Sequence, residues 1–242
     1  MSAKMQFMSM DERKTVRVYD VWSGLYDRTF GAMTRTRQRV ALKHLPLRET
    51  DRVLDIGVGT GAALRWYPPG VQVVGLDLSR GMLKRAARMR NQTGVRGWCL
   101  VQADAMRPPF ADASFDHIMI SHTISVVTDP GAVLSWAARL VRPAGRVIIV
   151  NHFRSSHRVT GTLSRALNPL CMRMGWRSDV SLESLLEACP LQHEYSFKVL
   201  PADLWKIIVL RRPLGVLPLE AQSVDPQPAD AQLVTNRSDT IS

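Results

Sequence analysis

Three carboxylates stand at the ends of apolar runs: Asp55 in "VLDIGVGTG", Asp77 in "VVGLDLS" and Asp104 in "LVQADAM". The first leads straight into alternating glycines, with Gly57, Val58, Gly59 and Gly61 in one short stretch. Glycine permits positive φ and close approach of a ligand to the backbone. Gly57, Gly59 and Ala62 also fit the G-x-G-x-x-A turn that seats a pyrophosphate. Asp55 argues against that ligand, because its charge would repel a pyrophosphate and attract an ammonium group. Asp77 can accept both hydroxyls of a ribose, and Asp104 can take a hydrogen bond from an adenine amine. Any one of these residues alone would be an ordinary strand-end turn or helix cap. Together they describe a seat for an adenosine with a cationic amino-acid tail. A nicotinamide dehydrogenase fits less well, since its fingerprint usually lies on the first strand and some fifty residues precede this one.

The elements that must position these residues follow from the hydrophobic pattern. Apolar runs at 52–56, 72–76, 98–102, 116–120 and 146–150 predict strands. Helix-compatible stretches at 60–67, 79–91 and 130–141 separate most of them. This alternation predicts an α/β fold whose parallel sheet is covered on both faces, with ligands at the carboxyl ends of the strands. Residues 11–45 read as helical, with Val16, Tyr19, Trp22 and Tyr26 on one face. A short helix at about 181–188 precedes strand-like runs at 193–199 and 203–210, which predict an antiparallel hairpin at the sheet edge. The expected organisation is a helical lid and contact segment over 1–50, a catalytic domain over 51–214 and a disordered tail over 215–242.

"VLDIGVGTG", "VVGLDLSRGML", "VQADAMRPPFADASFDHI" and "LVRPAGRVIIV" resemble, in order and spacing, the successive motifs of class I S-adenosylmethionine-dependent methyltransferases. The resemblance spans roughly 51–151 and implies a Rossmann-like, seven-stranded, mostly parallel sheet with an antiparallel last strand. It implies S-adenosylmethionine as cofactor, with Asp55 and the Gly57–Gly61 loop at the methionyl part and Asp77 at the ribose. It places Leu78 and Met82 beside the adenine, Asp104 and Ala105 at its edge, and Ser121 beside the methyl group.

The acceptor is read from the flanks. "VYDVWSGLYDRTFG", "ISHTISVVTDP" and "VNHFRSS" resemble bacterial soluble phospholipid N-methyltransferases, which methylate phosphatidylethanolamine toward phosphatidylcholine. Transfer to an amine needs the neutral nitrogen, and an ethanolamine amine is mostly protonated at neutral pH. Candidates to accept or relay that proton are Tyr19, Tyr26, His122 and His152. Aromatic rings, Trp22 among them, suit the methylated head groups through cation–π contact. Arg154, Arg158 and His157 can pair a lipid phosphate, and Asn151 can bind it or cap a strand end.

Composition agrees with such a partner. The net charge is +11 and the pI near 10.3. A nucleic acid, an anionic membrane or a merely solvated basic surface would each account for this. Residues 152–178 carry five arginines, two histidines and no acid, interleaved with Leu163, Leu167, Leu170, Met172, Met174 and Trp176. Only Phe153 and Trp176 could stack on bases there, so nucleic acid is not the expected partner. Basic residues of the N-terminal region, Arg35, Arg37, Arg39 and Lys43 among them, are expected to face the same rim. The expected picture is a cytoplasmic enzyme docking peripherally on the inner face of a membrane. Cys99, Cys171 and Cys189 read as reduced thiols with no metal-ligand spacing. Competing readings are a methyltransferase for a quinone-type acceptor or RNA, and a nucleoside-binding membrane module that has lost catalysis.

Overall fold

Continuous apolar strands are stable where helices cover both faces of a sheet, and the chain divides its side chains accordingly. The structure, a computed structural model, describes residues 34–93, 97–153, 180–187, 189–200, 203, 205–215 and 232–233. A helix over 34–42 (α1) leads to β1 (Arg52–Ile56), a 3₁₀ turn (Leu64–Trp66), β2 (Gln72–Asp77) and α2 (Arg80–Thr93). Then follow β3 (Trp98–Gln102), β4 (Phe115–Ser121), α3 (Pro130–Leu140) and β5 (Val141–His152). A short α4 (Leu182–Glu187), β6 (Gln192–Phe197), β7 (Trp205–Arg211) and the two-residue β8 (Gln232–Leu233) complete the described elements.

The sheet order is β6-β7-β5-β4-β1-β2-β3-β8. Strands β1 to β5 are mutually parallel, and β7 runs antiparallel between β5 and β6. This is the expected seven-stranded class I arrangement with its antiparallel last strand. Its edge carries an addition: Gln232–Leu233, in the segment expected to be a tail, pair with β3.

Alternation along the strands makes two cores. Leu54, Ile56, Ile118, Ile120, Val147 and Ile149 face α3 and α4. Val53, Val73, Met119, Ile148 and Val150 face the other way, together with Leu83 and Ala86 of α2. Ala41, Leu42 and Leu45 are buried in that second core, so the 34–45 part of the expected lid segment is built into the domain. The helix starts are locally encoded. Ser79 Oγ accepts from Met82 N at 3.2 Å, and Asp129 Oδ1 accepts from Ala132 N at 3.0 Å ahead of Pro130.

One expected helix is absent. Residues 60–67 form only the 3₁₀ turn, with bonds from Leu64 N to Gly61 O and from Trp66 N to Ala63 O. Tyr67 is extended, as a residue before proline tends to be, and Pro68 offers no N–H to continue a helix. The glycine loop therefore does not open onto an α-helix dipole.

Candidate active site

The carboxyl ends of β1, β2, β3 and β4 bring Asp55, Asp77, Asp104 and Ser121 to one crest of the sheet. Gly57 N and Val58 N both donate to Leu76 O, at 2.8 and 3.1 Å, so the loop folds over β2. Gly57, Gly59 and Gly61 all take positive φ. A Cβ on Gly57 would lie 1.9 Å from Thr123 Oγ1. A Cβ on Gly59 would meet nothing closer than Gly57 O at 3.9 Å, which leaves open space at that turn.

Asp77 organises this loop. Its Oδ2 accepts from Gly59 N and its Oδ1 from Ser79 N, both at 2.8 Å. Asp104 Oδ1 accepts from Met106 N at 2.8 Å, which fixes the turn after β3. Ala105, Val58 and Met82 are buried, whereas Leu78 is 41% exposed, an apolar side chain left bare beside Asp77.

Asp55 is 1% exposed, and its Oδ2 accepts from Tyr67 Oη at 3.1 Å. Burial pushes its carboxyl up to about 7, opposed by the Tyr67 bond and reinforced by the Asp77 charge. Its Oδ1 is buried without a partner, as are Ser121 Oγ and His122 Nε2. Buried polar atoms are normally satisfied. Three unsatisfied ones at the ends of adjacent strands β1 and β4, beside a loop with open space at Gly59, fit a polar ligand that completes the site.

The crest of β4, β5 and β7 is built differently. His122 takes φ 58°, and its N–H donates to Val150 O at 2.8 Å. Burial, then His152 and Arg37, push its imidazole down to about 3, so it is neutral at physiological pH. His122 meets the edge of Trp205 at 6.4 Å. Trp205 pairs with half-buried His152 across the sheet and carries the Arg37 guanidinium over its ring at 4.4 Å. Arg37 in turn forms a fork with Asp203, with Nε at 2.7 Å and Nη2 at 2.7 Å from its oxygens.

Arg37 is therefore not a rim cation. Its side chain is 11% exposed and held by a carboxylate that is 1% exposed. Asn151 is fully buried and its amide is engaged internally: Ser125 Oγ donates to Oδ1 at 3.3 Å, and Nδ2 donates to His152 O at 2.7 Å. Both polar atoms of the Asn151 side chain therefore have partners within the chain. Tyr19, Trp22, Tyr26, Arg154, His157 and Arg158 lie outside the described residues.

Sequence reasoning missed Thr123, Tyr67 and the Arg37–Asp203–Trp205 group. Thr123 Oγ1 lies within donating distance of Ile56 O (3.1 Å) and Ser121 O (3.2 Å), and so knits the β4 loop to the glycine loop. Its signal was available: a hydroxyl two residues past a strand end, facing a glycine in the neighbouring strand's loop.

With this geometry, the methyltransferase-domain family model matches residues 54–149. The chain belongs to the class I S-adenosylmethionine-dependent methyltransferases, and S-adenosylmethionine is its cofactor. It is 36% identical over 168 residues to a phosphatidylethanolamine N-methyltransferase of Cereibacter sphaeroides, covering 69% of this chain and 82% of that protein. It is 38% identical over 118 residues to a demethylmenaquinone methyltransferase of Beutenbergia cavernae, covering 48% of this chain and 47% of that one. Among solved structures it resembles a phospholethanolamine N-methyltransferase of Haemonchus contortus, with TM-score 0.63 and 20% identity over 74% of this chain and 52% of the other. At that identity the likeness speaks for the fold alone.

Proposed function

We propose that the chain methylates the amine of phosphatidylethanolamine and its methylated derivatives, toward phosphatidylcholine. The observation that carries this reading is the 36% identity to a phosphatidylethanolamine N-methyltransferase across four fifths of that protein. The demethylmenaquinone relative matches over about half of each chain, and a quinone-type acceptor is the second reading.

The cofactor supplies a transferable methyl group on a sulfonium. Asp55 Oδ1 would hold its ammonium, Asp77 the ribose, and Asp104 and Ala105 the adenine edge, with Leu78 and Met82 as flanking apolar surface. Ser121 stands at the end of β4 beside His122. Neutral His122 can accept a hydrogen bond at Nε2 from an ammonium head group. Its depressed basicity prevents it from keeping the proton. Half-buried His152 is the relay toward solvent, together with Tyr19 or Tyr26. Trp22 contacts the methylated head groups, and Arg154 and Arg158 pair the lipid phosphate. Catalysis is then chiefly orientation of a desolvated amine.

The enzyme docks reversibly on the anionic inner face of the membrane through its basic 152–178 segment. Among the described residues no helix is long and apolar enough to cross a bilayer. The test supplies purified protein with labelled S-adenosylmethionine and either phosphatidylethanolamine vesicles or a demethylated quinone. Label in lipid, weakened by salt, is expected. Label in the quinone alone would overturn the lipid reading.

A further inference from the structure

Tyr67 carries no role in the reading above, yet among the described residues it is the one hydrogen-bond partner of the Asp55 carboxylate, buried beside the glycine loop. It caps the 3₁₀ turn and is 6% exposed. The turn ends there because Pro68 follows, and its extended backbone sends the ring under the loop to Asp55, twelve residues back. The phenol donates to Asp55 Oδ2 at 3.1 Å, while Oδ1 of the same carboxylate is buried and unsatisfied. The bond therefore sets the rotation of the carboxylate and leaves one defined oxygen for a donor. The opposite partners of Asp55 in the sheet, Gly75 and Met119, offer no polar side chain.

We propose that Tyr67 is a positioning residue for the methyl donor: by holding Oδ2 of Asp55 it presents Oδ1 to the ammonium of the donor's amino-acid tail. This rests on the assignment of Asp55 to that ammonium made above. A charge-assisted bond of this kind requires the carboxylate form. The ionisable groups that act on Asp55 are Tyr67, from the turn, and Asp77, from β2. The Tyr67 bond favours the charged form, whereas burial and Asp77 oppose it. Donor binding is consequently coupled to release of a proton from Asp55, and Tyr67 sets where that release falls.

The test is calorimetric titration of S-adenosylhomocysteine, which carries the same ammonium tail, into wild type, Tyr67→Phe and Asp55→Asn between pH 6 and 8. Wild-type affinity should fall as pH drops through about 7. Tyr67→Phe should bind about tenfold more weakly at pH 7.5, with the fall beginning at higher pH. Asp55→Asn should bind weakly with no such fall. A Phe variant with wild-type affinity and midpoint, beside a weak Asn variant, overturns the role of Tyr67 alone. An Asn variant that binds like wild type overturns the Asp55 assignment itself. The wild-type profile is a separate check that needs no variant: a flat one also overturns the proposal. A Phe variant that binds more weakly with an unmoved midpoint overturns the action of Tyr67 through Asp55.

Discussion

The two halves of the crest solve different problems. The β1–β2–β3 half is held by main-chain bonds and by carboxylates close in sequence: Leu76 O takes Gly57 N and Val58 N, and Asp77 takes Gly59 N and Ser79 N. The β4–β5–β7 half is held by side chains far apart, with Arg37 reaching Asp203 across 166 positions and Trp205 set between Arg37 and His122. On the reading proposed above, the first half seats the cofactor and the second receives the acceptor. A seat common to many reactions can be written locally. An acceptor site must be assembled from whatever the fold brings together.

The strongest test of this division is Gly57→Ala. The new Cβ would collide with Thr123 Oγ1 at a backbone φ of +74°. A loss of at least about 4 kcal/mol in stability and of measurable S-adenosylhomocysteine binding is expected. Wild-type melting and binding would show that the loop is not bound to the β4 segment as described.

Asp203→Ala should cost about 3 kcal/mol in chemical denaturation, because it removes the carboxylate that forks onto the largely buried Arg37 charge. Donor affinity in the folded variant should stay within about twofold of wild type while lipid methylation falls. An equal drop in donor affinity would erase the separation between the halves. Asp77→Ala is expected to do the reverse, weakening donor binding about thirtyfold, or about 2 kcal/mol. Lipid-vesicle binding should be unchanged.

The last contrast concerns pH. His122 has a folded pKa below its unfolded value, so the unfolded chain binds the extra proton and stability rises from about pH 3 to 6.5. Asp55 has a folded pKa above its unfolded value, so its contribution is present at low pH and is lost as pH rises through about 7. Over the shared window the two slopes oppose each other. His122→Asn should make the stability-versus-pH slope more negative by up to about 1.4 kcal/mol per unit, and Asp55→Asn more positive. Equal slopes in both variants, measured by urea unfolding from pH 4.5 to 6.5, would contradict the two environments.

The same division explains what was legible. The strands, the glycine loop and the three aspartates could be read because each is signalled by residues within a few positions. The helix over 60–67 was misread because its apolar spacing is real but Pro68 and Pro69 leave no room to continue it. β5 begins at Val141, five residues before its apolar run, where Val141 pairs with Phe115 ahead of a register shift in the ladder to β4. Arg37 looked like one more surface cation. Nothing near it in the chain announces the carboxylate that buries it, and Trp205 looked only like the start of a strand.

That long ion pair also has a bearing on time. β7 must first pair with β5 before Asp203, two residues ahead of it, is in place to receive Arg37. Closing so long a loop is entropically unfavourable and is compensated only once those contacts exist. The glycine loop needs only residues 53–77 and the Thr123 hydroxyl. During synthesis the glycine loop can therefore take shape while the chain is still growing, and Arg37 of α1 meets Asp203 among the last events.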